Sequence, residues 1–400
     1  MVYRRKPGNI RKPRRRTSVR RRAPARKSYS RRRTTSRRRV KNDCQCPGEL
    51  SATAKFALAQ LDPFEPKCLG AKVPDSNTMP SLANCDTDLV PITAGGTSGF
   101  LTGAAFLPTY ATAYHVAAGA SATTVAWSSG INRTKYSQVC ASVEAIRPVA
   151  HAIRLSCPTA PTSTTGFVHI GLDVESRWSQ SNTATTVPEF PITVDQMAGL
   201  AHYKRVTLAS LTQSPITVIN KWIDESGFRY NDPRAAANYT TGVDSSVGTT
   251  IASALTIFNF NSSWGALIVL VEGSTGVSTT LLSVEHILLT ECLPRKDAFI
   301  LGTGAAPNSP GTMSAVSSMV ADQDFAHTEA QQESYVNEGI HRFSQGAAIA
   351  GERVWNDVAA PLMTRLGSAA INTGVAMAIN AYTGRGGIQG VNSNPNRLTL

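Results

Sequence analysis

Charge is distributed unevenly along this chain, and the distribution limits what its first part can fold into. The first 41 residues hold 20 of the 40 Lys and Arg and no carboxylate, since the first acidic residue is Asp43. The other 20 basic residues and all 27 Asp and Glu follow, so residues 42–400 carry a net charge of −7. Residues 1–48 have few apolar side chains and their like charges repel, so we expect this arm to be disordered until an anion binds it.

Runs of Arg in the arm alternate with Ser, Thr, Pro and Gly. Each guanidinium is a planar donor that fits phosphate oxygens, and many such contacts displace counterions, which gives tight, salt-sensitive binding without sequence preference. A localisation signal or a solvated tail is the alternative, but a localisation signal needs only about five to eight basic residues. We therefore predict that the arm binds nucleic acid. The predicted contacts are Arg4, Arg5, Lys6, Arg11, Lys12, Arg14, Arg15, Arg16, Arg20, Arg21, Arg22, Arg26, Lys27, Arg31, Arg32, Arg33, Arg37, Arg38, Arg39 and Lys41.

Residues 76–300 have the pattern of an all-β domain. Short runs rich in Thr, Ser, Val, Ile and Ala alternate with Gly, Pro, Asn and Asp, and they show no fixed repeat of the kind found in propellers or solenoids. These runs include no convincing helix, so they predict a mainly β fold. We expect a jelly-roll β-sandwich that follows the disordered arm and precedes a helical segment. The runs are 87–93, 98–106, 123–127, 145–156, 166–172, 203–208, 216–222, 250–260, 266–272 and 281–293.

Helical patterns flank the β region. Residues 49–75 begin with apolar residues at helical spacing over 50–61 and continue as a Pro- and Gly-rich linker, which we place on the inner face of the sandwich. In residues 301–400 we predict a small-residue linker at 302–318, a helix at 329–343, an amphipathic pattern over 347–382 and a polar tail from 384. Pro361 must bend or restart the amphipathic helix, because proline lacks a backbone N–H.

The amphipathic pattern has two interpretations. It is either a helix packed beneath the sandwich or a membrane-active helix whose apolar face enters a lipid bilayer. Its Gly and Ala residues permit close packing in either setting. The residues of this face are Val354, Trp355, Val358, Leu362, Leu366, Ile371, Val375 and Ile379.

Signatures of enzymes and of zinc sites are absent from the sequence. It contains no phosphate-binding loop, nucleophile elbow or zinc-protease motif, and the seven Cys lack zinc-site spacing, so we expect mostly buried, apolar thiols. His151, His169 and His286 lie inside strand patterns, where hydrogen-bonded sheet histidines are expected. Loop carboxylates are candidate calcium ligands between subunits, with solvated side chains as the alternative: Asp173, Glu175, Asp224, Glu225, Asp232 and Asp244.

Several segments, in order, resemble nodavirus and noda-like coat proteins over most of the chain. In the family, as here, a basic arm is followed by a linker ending in Gly-x-x-Ile/Val-Pro-Asp, then a β domain and a helical tail. Trp355 stands where the family has a Trp near the start of its lytic peptide. The matching segments are GAKVPD at 70–75, IRPVA at 146–150, GFVHI at 166–170, WGAL at 264–267, ECLP at 291–294 and ERVW at 352–355.

The resemblance implies a viral jelly-roll coat protein that forms a homo-oligomeric, T=3 icosahedral shell of about 180 copies around single-stranded viral RNA. It also implies a place in the virion, assembly in the host cytoplasm and contact with a host membrane during entry. Insect-infecting members cleave themselves at an Asn-Ala bond before the lytic helix, assisted by a buried aspartate whose positional counterpart here is Asp62. The alternative for Asp62 is a turn residue before Pro63 with no catalytic role. In this chain Ala350-Gly351-Glu352 occupies the cleavage position, so the expected Asn-Ala pair is missing.

Two other functions fit parts of the pattern. One is a cellular nucleic-acid-binding protein with a basic tail on a β-sandwich, although the β region has no aromatic motif for stacking RNA bases. The other is a capsid precursor whose only enzymatic activity is cleavage of itself. The N-terminus lacks the apolar stretch of a secretory signal, so we expect folding in the cytosol.

Overall fold

The computed structural model describes residues 50–93, 101–119, 123–128, 130–160, 164–174, 190–231, 233, 243–244, 249–250, 263–273, 280–297 and 302–363. All of them belong to the second of two compact units, Glu49–Leu400, which is the body of the protein. The predicted arm and the predicted polar tail lie outside the described residues.

Two antiparallel sheets form this body. The first has the order β1-β12-β5-β8-β13 and the second the order β4-β3-β2-β11-β6-β7. The strands are β1 (Leu82–Thr93), β2 (Thr102–Phe106), β3 (Tyr114–Gly119), β4 (Val125–Trp127), β5 (Val143–Ser156), β6 (Phe167–Asp173), β7 (His202–Thr207), β8 (Ile216–Ile219), β9 (Val243–Asp244), β10 (Thr249–Thr250), β11 (Ala266–Glu272), β12 (Thr280–Pro294) and β13 (Ala326–Thr328), of which β9 and β10 form a separate pair.

The strand order is that of a jelly roll. Its eight principal strands are, in chain order, β1, β2, β5, β6, β7, β8, β11 and β12. The first, eighth, third and sixth are neighbours in one sheet, and the second, seventh, fourth and fifth are neighbours in the other. Two nested Greek keys produce this order, in which consecutive principal strands fall in opposite sheets except for β6 and β7, which pair with each other. The predicted mainly β jelly-roll sandwich is confirmed.

Hydrophobic alternation explains how the two sheets close. From Asp86 onward, β1 alternates buried and exposed residues, so Val90 and Ile92 face the second sheet while Leu89 faces solvent. Strand β11 is buried on both faces except at its last residue, as expected for a central strand covered on each side. Between the sheets, Val90 packs in one apolar cluster with Phe106, Ile153 and Val269.

Helices form a third layer on the outer face of the first sheet. They are α1 (Ala52–Ala59), α4 (Pro310–Asp322), α5 (Glu329–Ala350) and a terminal segment made of Glu352–Val354, a π-helical turn Trp355–Ala359 and Ala360–Met363. We call these elements the helical layer. Their apolar faces share one cluster with Val149 and Leu289 of the sheet. Ser51 caps α1 by accepting from Ala54 N at 3.1 Å, and a Thr328/Gln331 capping box starts α5.

The helices differ from the sequence prediction in two places. Most of the predicted linker 302–318 lies in α4, because Met313, Val316 and Val320 recur at helical spacing among small residues and are buried. The predicted amphipathic helix from 347 is interrupted at Gly351, whose φ of +119° an L-residue rarely adopts. The irregularity expected at Pro361 takes the form of a π-helical turn before it, where the missing N–H removes an α-helical hydrogen bond.

Within the β region, short elements escaped prediction. Strand β3 was missed because its Ala and Gly residues do not mark a strand. Two short helices, α2 (Tyr136–Ser142) and α3 (Val194–Ala198), lie in connections between strands. Most of the predicted run 250–260 lies outside the described residues.

Candidate functional site

The helical layer joins the two ends of the described chain. Leu50, where the description begins after the predicted arm, packs against the apolar cluster of this layer. The Ser51 hydroxyl donates to the Asp357 carbonyl at 3.3 Å, so the start of α1 touches the terminal segment. The described chain thus begins and ends in the same layer. The nucleic-acid-binding residues of the arm remain a prediction.

The terminal segment contains half of the predicted membrane-active face. Val354, Val358 and Leu362 are 7%, 2% and 1% exposed and belong to the same apolar cluster as Phe56 of α1. Trp355 packs against that cluster and is half-buried. Leu366, Ile371, Val375 and Ile379 lie outside the described residues. No helix within the described chain is long and apolar enough to span a membrane. Intramolecular packing therefore occupies the described half of this face.

Asp62 lies where α1 leads into the linker, and it is 3% exposed. One carboxylate oxygen accepts from Phe64 N at 3.1 Å, and the other accepts from the side-chain amide of Gln332 in α5. Burial raises the pKa of Asp62, while the hydrogen bonds and the Arg154 charge oppose that rise. Asp62 is therefore a carboxylic acid that holds its proton more tightly than a solvated aspartate.

The predicted cleavage position is not beside this acid. Gln332, the α5 partner of Asp62, lies 18 residues before Ala350 in a helix spanning Glu329–Ala350, and at about 1.5 Å per residue this places Ala350 roughly 27 Å further along the axis. Ala350 instead packs at the start of α4, where a side chain on Gly311 would meet both Ala350 and Val354. Self-cleavage assisted by Asp62 would require a different arrangement from the one described.

The predicted calcium ligands do not converge among the described residues. Asp224 caps a 3₁₀ turn by accepting from Ser226 N at 2.7 Å, and the hydrogen bonds to Ser226 lower its pKa. Glu225 follows in the same turn, while Asp173 is buried at the end of β6 and Asp244 lies in β9. No group of three or more potential metal ligands occurs within the described chain. Glu175 and Asp232 lie outside it.

The Gly-x-x-Val-Pro-Asp segment anchors the linker through buried charges. Lys72 donates to the carbonyls of Ser81 at 2.7 Å and Gly304 at 2.8 Å. Asp75 pairs with Arg147 of β5, and Arg147 Nη2 donates to Glu291 of β12 at 2.7 Å. Arg147 and Glu291 are each at most 1% exposed. Arg147 and Glu291 both fall in segments of the family resemblance. A single sequence cannot show that they form an ion pair, because they are far apart along the chain.

The body is a jelly-roll sandwich with a helical layer, and the segment that precedes it in the sequence is polybasic. No protein-family model and no curated protein matches the chain. Among solved structures, a subviral particle of infectious bursal disease virus VP2 is 12% identical, covers 70% of this chain and 97% of its own, and has a TM-score of 0.47.

Two smaller viral chains also match. Tobacco necrosis virus is 15% identical and covers 54% of this chain and 97% of its own, with a TM-score of 0.33. A virus-like particle of the prawn nodavirus MrNV is 11% identical and covers 56% and 88%, with a TM-score of 0.31. The structural neighbours are thus proteins of viral capsids at low identity, and the specific resemblance to nodaviruses stays a prediction.

Proposed function

We propose that this chain is a viral coat protein that assembles into an icosahedral shell and packages single-stranded RNA through its arm. The observation that carries this function is a jelly-roll sandwich joined to a segment with 20 cationic and no acidic residues in 41 positions. A sandwich of this kind offers broad sheet edges and faces for packing against further copies, and the arm supplies the charge that RNA requires.

The separation of charge supports one role for the arm, RNA binding, and another for the body, assembly of the shell. Residues 42–400 hold 20 basic and 27 acidic residues, so the body is net negative and repels a polyanion as a whole. RNA binding then depends on the arm, and contacts between bodies depend on apolar and hydrogen-bonding surfaces. Localisation in the virion, with assembly in the host cytoplasm, follows from the same function.

A particle assay tests both halves of the function. Full-length protein is expressed, treated with nuclease and sedimented through sucrose, and fast fractions are imaged by negative stain. We expect shells that contain protected RNA. Recovery of only monomeric protein without RNA would instead favour the cellular nucleic-acid-binding alternative.

A matched pair of variants isolates the role of the arm's charge. One variant replaces all 20 Lys and Arg of residues 1–41 by Gln, and the other replaces every Arg there by Lys, which keeps the charge. We expect the Gln variant to lose packaged RNA and the Lys variant to retain most of it, because phosphate neutralisation dominates such binding. Equal RNA content in the two variants would contradict the role of the arm.

The size of the shell is a separate part of the function. We propose T=3 particles of about 180 copies, following the coat-protein resemblance. Cryo-electron microscopy of purified particles measures the symmetry directly. A shell of about 60 copies would retain the coat-protein function but reject the T=3 assignment.

Cleavage and membrane contact remain secondary functions. Intact-mass measurement of aged particles distinguishes a self-cleaving precursor, which yields two fragments near residue 350, from a chain that stays whole. We propose that the terminal segment contacts a host membrane, together with residues 364–379, only after the terminal segment leaves the helical layer, because Val358 and Leu362 are buried there.

A further inference from the structure

Two histidines meet inside the sandwich. His151 of β5 and His286 of β12 are both 0% exposed, and their Nε2 atoms are 2.7 Å apart. The His286 ring packs edge-on against Phe106 of the second sheet, with ring centres 5.1 Å apart. The pair therefore lies between the sheets, where no bulk water reaches it.

Asn220 determines which nitrogens carry protons. Its amide nitrogen lies 2.7 Å from the Gly265 carbonyl and 2.8 Å from His151 Nδ1. The carbonyl can only accept, so the amide nitrogen faces it and its second hydrogen points to His151. Nδ1 of His151 then accepts and its Nε2 bears the hydrogen, which it donates to Nε2 of His286. A directional chain runs from Asn220 through His151 to His286.

This chain exists only while both rings are neutral. A proton added to His151 goes to Nδ1 and faces the Asn220 amide donor. A proton added to His286 goes to Nε2 and faces the N–H of His151. In either case two donors point at each other, and one hydrogen bond of the buried chain is lost.

The surrounding charges oppose protonation. Arg133, which is 2% exposed, donates to the His286 carbonyl at 3.2 Å, and burial followed by the Arg133 charge lowers the pKa of both histidines. From β1, Asp88 faces Arg133 at 3.5 Å and Asp86 faces Lys135 at 2.6 Å, so both carboxylates are engaged by other cations.

We propose that the Asn220–His151–His286 chain is an acid-sensitive lock that holds the two sheets together. Asn220 follows β8 in the first sheet, and its partner Gly265 precedes β11 in the second. Neutral rings close this connection across the sandwich, and acid opens it. The lock depends on the fold alone and holds whether or not the protein forms a shell.

The lock also adjoins the helical layer. Trp222, two residues after Asn220, forms an isolated bridge with Trp264, the residue before Gly265. The Trp222 indole N–H donates to Gln60 at the end of α1 at 3.1 Å. Opening the connection between Asn220 and Gly265 therefore loosens the site on which α1 rests.

Urea unfolding of the full-length protein at pH 7.0 and 5.5, followed by tryptophan fluorescence, tests the lock. In the unfolded chain both histidines take up protons near pH 6.5, whereas in the folded chain they resist, so stability is lost as pH falls below 6.5. For two such groups the unfolding constant rises about 70-fold over this interval. The double variant His151→Gln/His286→Gln keeps an acceptor and a donor at each position without a titrating ring, and should lose this factor.

The control is His341→Gln on α5, which lies outside the sandwich and should keep the wild-type pH dependence. The same pH dependence in wild type and double variant would overturn the lock. If the double variant does not fold, C2-proton exchange followed by mass spectrometry reports the titration of each histidine in the wild-type protein. Ordinary titration of His151 and His286 near pH 6.5 would then exclude it.

Discussion

Buried charged side chains in this protein tie distant parts of the chain to the first sheet. Arg147 connects Asp75 of the linker with Glu291 of β12, and Glu291 also accepts from Val73 N at 3.1 Å. Removing one partner of such a group leaves an uncompensated charge in a medium of low dielectric. These residues therefore fix the linker against β5 and β12 of the first sheet.

Replacing Arg147 by Met should show this dependence. We expect Arg147→Met to lower the free energy of unfolding by about 3–5 kcal/mol, because Glu291 stays buried without its cation. Urea unfolding measures the change. Arg295→Met, which removes an exposed pair with Asp297, is the control and should leave stability nearly unchanged. A small effect of Arg147→Met would mean that water reaches Glu291.

Replacing Asp62 by Asn should remove a pH dependence of opposite sign to that of the histidines. The pKa of Asp62 is raised by folding, so its contribution is greatest at low pH and is lost as pH rises from about 3.8 to the folded-state pKa. We expect Asp62→Asn to be more stable than wild type at pH 7, with Gln332 reversing its amide. Glu333→Gln on the exposed face of α5 is the control for urea unfolding at pH 4 and 7. Equal stability of wild type and Asp62→Asn at both pH values would contradict the shift.

At the scale of elements, small residues decide how closely the helices pack. Gly346 of α5 faces Ala315 of α4, and a Cβ there would lie 3.1 Å from Ala315 Cα. Gly339 faces Leu61 and Gln323, and a Cβ there would overlap both. The side chain of Arg342 donates to the Asp322 carbonyl at 2.6 Å, at the C-terminal end of α4. Close backbone approach and this cap hold the two helices side by side.

Substituting Gly339 should reverse the usual effect of helix propensity. Gly→Ala inside a helix ordinarily stabilises by about 0.5–1 kcal/mol. Gly339→Ala should instead destabilise by about 1–3 kcal/mol, because the methyl group overpacks against Leu61. Ser334→Ala on the exposed face of the same helix serves as the control in thermal unfolding. A rise in Tm for Gly339→Ala would show that α5 is free to move away from α1.

At the scale of the whole molecule, the helical layer contains both the first and the last described residues of the chain. Its apolar face is shared between α1 and the terminal segment, so the residues predicted to enter a membrane also stabilise the fold. Exposing Val354 and Leu362 would lose the free energy of their apolar packing in the helical layer, so a trigger has to offset that loss. Acid opening of the histidine lock beneath α1 is one such trigger.

A disulfide across the layer should separate packing from membrane activity. Ser51→Cys/Asp357→Cys places two thiols at neighbouring positions, since the Ser51 hydroxyl donates to the Asp357 carbonyl at 3.3 Å. We expect oxidised particles to release little dye from liposomes at pH 5.5, and reduction to restore release. Ser51→Cys alone is the control. Equal release before and after reduction would show that the terminal segment stays in place during membrane contact.

The sequence alone predicted the β class, the positions of long strands such as β5 and β12, and the charge separation between arm and body. Alternation and charge are local properties, and each can be found in a short window. The prediction of a linker at 302–318 was wrong for α4. Its small residues give a weak helical pattern, and the face that it buries is defined only by packing against α5.

Only the tertiary structure decided which distant residues meet. It brought Arg147 to Glu291 and His151 to His286, and it held Asp62 against Gln332 rather than beside Ala350. Strand order in a jelly roll pairs elements more than a hundred residues apart, so no window of sequence contains both partners. The physical reason is that burial sets the hydrogen-bond partners and the pKa of such polar groups, and burial arises only when the layers pack together.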